Sequence, residues 1–134
     1  MGFEDRYRLS AHAVITDDEG RVLLVHATYG DRAWGLPGGA VDPGETLHET
    51  LVRECREELG CDVRILYLSG IYYHASIEAH VAIFRCQLPI EAPLTLSDEH
   101  SSWRYVEVSE LTAVQRKRVE DCLTFNGLVQ SCRF

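Results

Sequence analysis

The pattern of apolar residues near the start of the chain predicts two β-strands. Residues 9–16 and 21–27 are rich in small and β-branched side chains, which favour extended backbone. The acidic segment 17–20 between them ends in glycine and has the composition of a turn. We therefore expect a β-hairpin here. We expect His12 and His26, inside the two strands, to be packed or hydrogen-bonded side chains rather than metal ligands.

The pattern changes to helical spacing over residues 47–59. With about 100° per residue on a helical wheel, one apolar stripe is expected to pack on a sheet. Val52 widens this stripe, which consists of Leu47, Leu51, Cys55 and Leu59. Thr46 and Glu49 are spaced as a capping box, and Gly60 is suited to end the helix. Residues 42–45, Asp-Pro-Gly-Glu, have the composition of a type II turn leading into it.

The rest of the chain predicts more strands and a second helix. Strands are expected over residues 62–73 (one strand or a bent pair), 77–88 and 103–108, with a loop at 89–102. A helical turn is expected over 109–111 and a helix over 113–124. This order favours one α+β domain over residues 1–134, with helices packed on a mixed β-sheet.

Charge and hydropathy narrow the classes of partner. The 134 residues include 21 acidic and 13 basic side chains, a net charge of −8, which argues against binding to a nucleic-acid backbone. An anionic substrate would need a bridging cation or a local basic patch. No apolar run approaches the roughly 18 residues of a membrane span. No apolar targeting segment is visible near the N-terminus, so we expect a cytoplasmic location.

The five cysteines do not form a recognisable metal or disulfide framework. Their number is odd and no pair has CxxC spacing. We expect buried, reduced thiols at these positions, which are Cys55, Cys61, Cys86, Cys122 and Cys132.

Three glutamates gather at the end of the first predicted helix. On the wheel, Glu54, Glu57 and Glu58 share an arc of about 100° that borders the apolar stripe. Like charges four residues apart and negative charge near a helix C-terminus are both unfavourable, and a bound divalent cation would remove both penalties. Oxygen ligands favour Mg²⁺, Mn²⁺ or Ca²⁺. The alternative is a solvated helix carrying the i,i+4 pairs Glu49–Arg53 and Arg53–Glu57.

The residues before and along this helix favour the metal site. Residues 39–61 resemble the Nudix box, G-x5-E-x7-R-E-U-x-E-E-x-G-U, where U is a bulky aliphatic residue. All seven fixed residues are present at the required spacing. Cys55 and Cys61 occupy the two U positions, and both are apolar enough to pack. Residues 34–39, Trp-Gly-Leu-Pro-Gly-Gly, also resemble the usual lead-in to the box.

The resemblance implies a fold and a reaction. The fold would be a Nudix-type α/β/α sandwich, and the reaction would be the metal-dependent hydrolysis of a nucleoside diphosphate linked to another moiety. Arg53 would orient the glutamates, and Glu45 would hold the loop and the helix together. The cation would be Mg²⁺, with Mn²⁺ a possible substitute, and its ligands would be Glu54, Glu57, Glu58 and the Gly38 carbonyl. Glu54 is placed to accept a proton from the attacking water, although family members differ in which glutamate does so.

Outside the box the candidates are less specific. Arg32, Tyr29 and Tyr73 are candidates to line a base or phosphate pocket, as are Tyr72 and His74. The competing interpretation of an aromatic pair is ordinary packing. Glu99, in the loop before Trp103, is a candidate extra metal ligand or base, against the alternative of a solvent-exposed acid.

Two other functions remain open from the sequence. The fold also serves nucleotide-sensing modules without turnover, although these usually lack box glutamates and this chain lacks none. A metal-dependent isomerase is the third interpretation. The substrate of a hydrolase is also open among nucleoside triphosphates, ADP-ribose-like compounds, dinucleoside polyphosphates and nucleotide sugars. A homodimer would be ordinary for the family.

Overall fold

The computed structural model describes residues 2–27, 33–90 and 100–134. The helices are α1 (Leu47–Leu59) and α2 (Ala113–Leu123), and short 3₁₀ turns cover Ala75–Ile77 and Val108–Glu110. The strands are β1 (Arg8–Val14), β2 (Val22–Ala27), β3 (Trp34–Gly35), β4 (Gly38–Ala40), β5 (Arg64–His74), β6 (Ala79–Gln87), β7 (His100–Val106) and β8 (Gln130–Arg133). In these ranges no helix is long and apolar enough to cross a membrane.

The described strands form two sheets. The larger has five strands in the order β4-β1-β6-β5-β8, and the smaller has three in the order β3-β2-β7. β1 pairs with β6 in parallel, as β5 does with β8, while β1–β4 and β5–β6 are antiparallel. The five-stranded sheet is therefore mixed, as the sequence predicts.

The two helices cover opposite faces of this sheet. α1 buries its apolar stripe with Ala11, Ala13 and Phe84. α2 buries Val119 and Cys122 in a second cluster with neighbouring residues of the same strands, including Val14 and Ile83. Because successive side chains on a strand point to opposite faces, these two clusters lie on the two sides of the sheet. The α/β/α arrangement is confirmed.

The predicted hairpin between the first two strands is wrong in its pairing. β1 and β2 belong to different sheets, and among the described residues the two predicted arms pair only through an antiparallel bridge between Thr16, just after β1, and Val22. The turn itself is as expected, since the Gly20 amide donates to the Asp17 carbonyl at 3.1 Å. β1 instead pairs with β4 and β6, which are distant in sequence. Such pairings cannot be read from local periodicity.

Helix α1 has the predicted bounds and ends. The Glu49 amide donates to the Thr46 hydroxyl at 3.1 Å, and the Glu49 carboxylate accepts from the Thr46 amide at 3.0 Å. Gly60 ends the helix in the left-handed conformation at φ 71°. Leu51, Cys55 and Leu59 are fully buried.

The later elements differ from expectation in detail. Residues 64–74 form one strand, and its two β-bulges explain the apparent break in its pattern. Short β3 and β4 and terminal β8 were not predicted, because they are too short or too polar to show a period. Among the thiols, which are all free, four are buried and Cys132 is partly exposed.

Candidate active site

Two glycines of β4 bring the strand close to side chains on both faces of the sheet. A Cβ added at Gly39 would lie 2.6 Å from the Glu54 carboxylate on α1. A Cβ added at Gly38 would collide with the Ala11 carbonyl oxygen on β1 and would lie 2.8 Å from Nδ1 of His12 on the same strand. Gly38 also has φ 141°, a conformation that L-residues rarely adopt. This adjacent pair therefore allows a carboxylate and an imidazole to touch opposite sides of one strand.

Arg53 joins the carboxylates of the box. Its Nε and Nη2 donate to the two oxygens of Glu45 at 2.6 and 2.9 Å. Its Nη1 donates to Glu54 at 3.0 Å and to Glu57 at 3.4 Å. Nη2 also reaches the Ala40 carbonyl of β4 at 3.3 Å. The guanidinium thus contacts two glutamates of α1 and connects the helix to the preceding loop, and its orienting role in the reaction stays a prediction.

Glu45 connects the turn before α1 to the helix itself. Its Oε1 accepts from the Asp42 amide at 3.1 Å and from the Thr50 hydroxyl at 2.9 Å. The turn is of the predicted kind, with Gly44 at φ 87°. Hydrogen bonds from Arg53 are the main reason that the pKa of Glu45 falls from 4.5 to about 2. Glu45 is therefore ionised at neutral pH and acts as a structural anchor for Arg53.

The three helix glutamates differ in burial as the wheel predicts. Glu57 has a half-exposed side chain at 52%, Glu54 is at 16%, and residue Glu58 as a whole is only 4% exposed. The Gly38 amide donates to Glu58 Oε2 at 3.0 Å. The structure thus shows a contact of the Gly38 N–H with a box carboxylate, and the proposed role of the Gly38 carbonyl as a metal ligand stays a prediction.

The three helix carboxylates suit a hard divalent cation once their present hydrogen bonds are rearranged. In residues 2–27, 33–90 and 100–134, no three His, Cys, Asp or Glu side chains are already arranged around a common metal position. Arg53 contacts Glu54 and Glu57, and Glu58 accepts from Gly38. The Glu54 carboxylate lies directly against the Gly39 backbone, in the position that a Cβ would need. Three carboxylates beside a backbone strand are the oxygen ligands that Mg²⁺ prefers.

The predicted site residues outside the box either lie outside the described residues or pack away from the box. Tyr29, Arg32 and Glu99 lie outside the residues that the structure describes. Tyr73 lies on β5, which β6 and β1 separate from β4. Its ring meets Tyr7 at 6.0 Å and His80 at 5.0 Å, so it packs in an aromatic cluster away from the box.

A second group of polar residues lies on the α2 side of the sheet and was not predicted as a site. It lines a cavity of about 250 Å³ that contains His12, His74, Gln115 and Arg118. Only His74 of these was a candidate from sequence. A helical wheel of the second helix would have indicated that Arg118 lies on its buried face, one turn before buried Cys122 and next to buried Val119.

Comparison with known proteins supports the Nudix resemblance. The family model for the NUDIX domain matches residues 6–122. An RNA pyrophosphohydrolase of Serratia proteamaculans (strain 568) is 41% identical over 66 residues, which cover 47% of this chain and 37% of that protein. The RNA pyrophosphohydrolase of Actinobacillus succinogenes is 38% identical over 71 residues, which cover 51% of this chain and 36% of that protein. The chain thus matches little more than a third of the length of these curated relatives.

Solved structures share the fold over most of the chain. An ADP-ribose pyrophosphatase from Streptococcus suis 89-1591 superposes with a TM-score of 0.76 at 21% identity, covering 96% of this chain and 99% of that one. A MutT protein from Methanosarcina mazei Go1 superposes with a TM-score of 0.70 at 28% identity, covering 89% of this chain and 94% of that one. The family match, the box geometry and these folds agree, and the chain belongs to the NUDIX domain family.

Proposed function

We propose that this chain hydrolyses a diphosphate linkage in a nucleoside diphosphate derivative with the help of a divalent cation. The observation that carries this proposal is the gathering of three helix glutamates beside β4. Arg53, anchored by Glu45, contacts Glu54 and Glu57, and the Gly38 amide donates to Glu58. A solvated helix would have no need for this network, in which one guanidinium contacts four carboxylates and a strand carbonyl. The names of the curated relatives and of the first solved structure also denote diphosphate hydrolysis.

Glu54, Glu57 and Glu58 are the residues that would hold the cation, and Mg²⁺ is the ion that such oxygen ligands favour. When bound, the cation would neutralise charge on the phosphate oxygens and make a water more acidic. Its positive charge would also offset the repulsion between an anionic substrate and a protein with a net charge of −8.

The chemical step needs little from the protein beyond position and proton transfer. A water oxygen forms a bond to one phosphorus, the bridging P–O bond breaks, and the departing phosphate takes the bonding pair. Glu54 is the partly buried carboxylate beside the Gly39 backbone, and we assign it as acceptor of the proton that the water loses. Arg53 keeps the Glu54 side chain oriented.

Substitution of the box glutamates tests this proposal. We expect Glu54→Gln and Glu58→Gln each to lower turnover by about 10²- to 10⁴-fold, since amides neither accept the proton nor balance a cation. Glu120→Gln on α2 removes the same charge from an exposed i,i+4 pair with Arg116 and should leave turnover unchanged. Circular dichroism would verify that each variant folds. Wild-type rates in both box variants would refute the mechanism.

The substrate panel should include several diphosphate classes. Nucleoside triphosphates, ADP-ribose-like compounds, dinucleoside polyphosphates and nucleotide sugars are the candidates from the sequence. RNA with a 5′-triphosphate belongs in the panel because the curated relatives are named RNA pyrophosphohydrolases. Binding of a nucleotide without turnover of any panel member, with Mg²⁺ or with Mn²⁺, would instead favour a nucleotide-sensing module.

A further inference from the structure

The cavity between α2 and the five-stranded sheet is lined partly by aliphatic side chains and partly by polar ones, including a buried arginine. Aliphatic side chains, including Leu36, Val81 and Ile83, form part of its lining. The remainder is polar and includes Arg118 of α2, whose residue is only 7% exposed. A cavity lined in this way has room for a small ligand group and one fixed positive charge to orient it.

Arg118 has weak hydrogen bonds and no counter-ion among the described residues. Its Nη1 lies 3.4 Å from Gln115 Oε1, and its Nη2 lies 3.3 Å from His74 Nδ1. The guanidinium carbon is 5.4 Å from the ring centre of Phe134. Its buried Nε has no hydrogen-bond partner in residues 2–27, 33–90 and 100–134.

The neighbouring cations of α2 are paired quite differently. Arg116 donates to Glu120 at 2.9 Å, and Lys117 donates to Asp121 at the same distance. Both are i,i+4 pairs on the same helix, and the two cationic side chains are 48% and 47% exposed. The helix thus supplies carboxylates to its exposed cations, while in the described part of the chain none forms an ion pair with the buried cation Arg118.

A buried charge of this kind is costly unless something compensates for it. His12, which also lines the cavity, carries no negative charge in either protonation state and cannot act as a counter-ion. Burial and the nearby Arg118 charge lower its pKa and favour the neutral ring. An oxyanion in the cavity would both neutralise Arg118 and accept from its free Nε–H. Phosphate and carboxylate each present two oxygens that a guanidinium can bind in a bidentate manner.

The cavity also lies next to the box. His12 approaches the Leu36 carbonyl with its Nδ1 at 3.2 Å, and the same nitrogen faces the bare Cα of Gly38. The Gly38 amide in turn donates to Glu58. One imidazole and one strand therefore separate the cavity from the box carboxylates.

We infer that the cavity is an anion-binding site, in which Arg118 recognises a phosphate or carboxylate group that the substrate carries beyond the hydrolysed diphosphate. Arg118 would then determine specificity, selecting against substrates whose distal part is neutral. The reference to substrate rests on the proposed function, whereas anion binding in the cavity does not.

Binding of simple anions tests the site without metal or turnover. With arginine labelled with ¹⁵N and with a chelator present, the Nε–H resonance of Arg118 would be followed by NMR during titration with sodium phosphate or sodium acetate. Loss of the resonance in Arg118→Gln would assign it. We expect a saturable shift with at least one anion, and the responding anion identifies the group as phosphate or carboxylate. If neither phosphate nor acetate shifts the resonance more than sodium chloride does, the inference is overturned.

Matched variants separate ligand binding from structure. Arg118→Gln should weaken binding of the responding anion by about 10- to 100-fold, the loss of a charge-assisted hydrogen bond. Arg116→Gln removes an exposed charge two residues away and should bind the anion like the wild type. Arg118→Met should unfold at a temperature no lower than the wild type, because it removes an uncompensated buried charge. A lower midpoint in Arg118→Met, together with unchanged anion binding in Arg118→Gln, would assign Arg118 a purely structural role.

Substrate pairs extend the test to specificity. UDP-glucuronate and UDP-glucose differ by one carboxylate, and NADPH and NADH differ by one phosphate. For whichever pair is hydrolysed, we expect a higher kcat/KM for the more anionic member in the wild type and in Arg116→Gln, and no preference in Arg118→Gln. A preference that persists in Arg118→Gln would overturn the assignment of specificity. Turnover without any anion response would leave the proposed function intact and refute this inference alone.

Discussion

Gly39 controls the distance between the β4 backbone and the Glu54 carboxylate. A methyl group there would lie 2.6 Å from the carboxylate, well inside van der Waals contact. We expect Gly39→Ala to displace Glu54 and lower turnover by about 100-fold, the usual cost of a catalytic group misplaced by about 1 Å. Steady-state kinetics on the best panel substrate would measure this. Ala40→Ser, at the exposed next position, should keep the wild-type rate, and equal rates in all three proteins would contradict the prediction.

Glu45 should make the stability of the protein sensitive to acid. Because Arg53 lowers its pKa from 4.5 to about 2, the folded protein holds this carboxylate ionised where the unfolded chain would protonate it. Its stabilising effect is therefore complete above pH 4.5 and is lost as the pH falls towards 2. Urea unfolding at pH 6 and pH 3 should show a smaller loss of stability in Glu45→Gln than in the wild type.

The control for this measurement is another carboxylate. Glu4 is exposed near the start of the chain, and Glu4→Gln should keep the wild-type pH dependence. If Glu45→Gln loses as much stability between the two pH values as the wild type, the Arg53–Glu45 pair does not contribute in the manner described.

At the same scale, sequence spacing located some site residues and missed others. The intervals between Glu45, Arg53 and Glu54 are fixed within one turn and one helix, so spacing alone brings them together. Arg118 and His12 meet across elements that are distant in sequence. Their chemistry depends on burial and on the absence of an ion pair to Arg118 within the described ranges, which no local pattern records.

At the scale of elements, the N-terminal end of α1 is fixed by a capping box. The Thr46 hydroxyl accepts from the Glu49 amide at 3.1 Å, whereas the corresponding Thr112–Gln115 contact of α2 is 3.4 Å. We expect Thr46→Ala to lower the free energy of unfolding by about 1 kcal/mol. Thr112→Ala should cost less, because its longer bond is weaker. Chemical denaturation of both variants would test the order, and a larger loss for Thr112→Ala would contradict it.

The helices could be predicted better than the sheets for a physical reason. The bounds of α1 follow from Thr46, the apolar stripe and Gly60, all of which act within the segment. Strand partners are chosen by packing between distant segments, so β1 joins β4 and β6 rather than β2. β8 has the sequence Gln-Ser-Cys-Arg, with little apolar character, and becomes a strand only because it pairs with β5.

At the scale of the whole molecule, charge links cation binding to stability. The net charge of −8 is concentrated in part at the box, where Glu58 is almost fully buried. A cation that binds the folded site, but not the unfolded chain, should raise the free energy of unfolding by about 2.7 kcal/mol at 100 times its dissociation constant. We therefore expect the unfolding temperature to rise with Mg²⁺ and to fall when a chelator is added.

This rise must be separated from general screening, because any salt reduces repulsion within an acidic protein. Sodium chloride at matched ionic strength reports the screening part. Glu58→Gln should retain that part and lose the response that is specific to Mg²⁺, whereas Glu120→Gln on α2 should retain both. If Mg²⁺ stabilises Glu58→Gln as strongly as the wild type, then the cation binds elsewhere or only screens charge, and the box does not hold it in the way proposed.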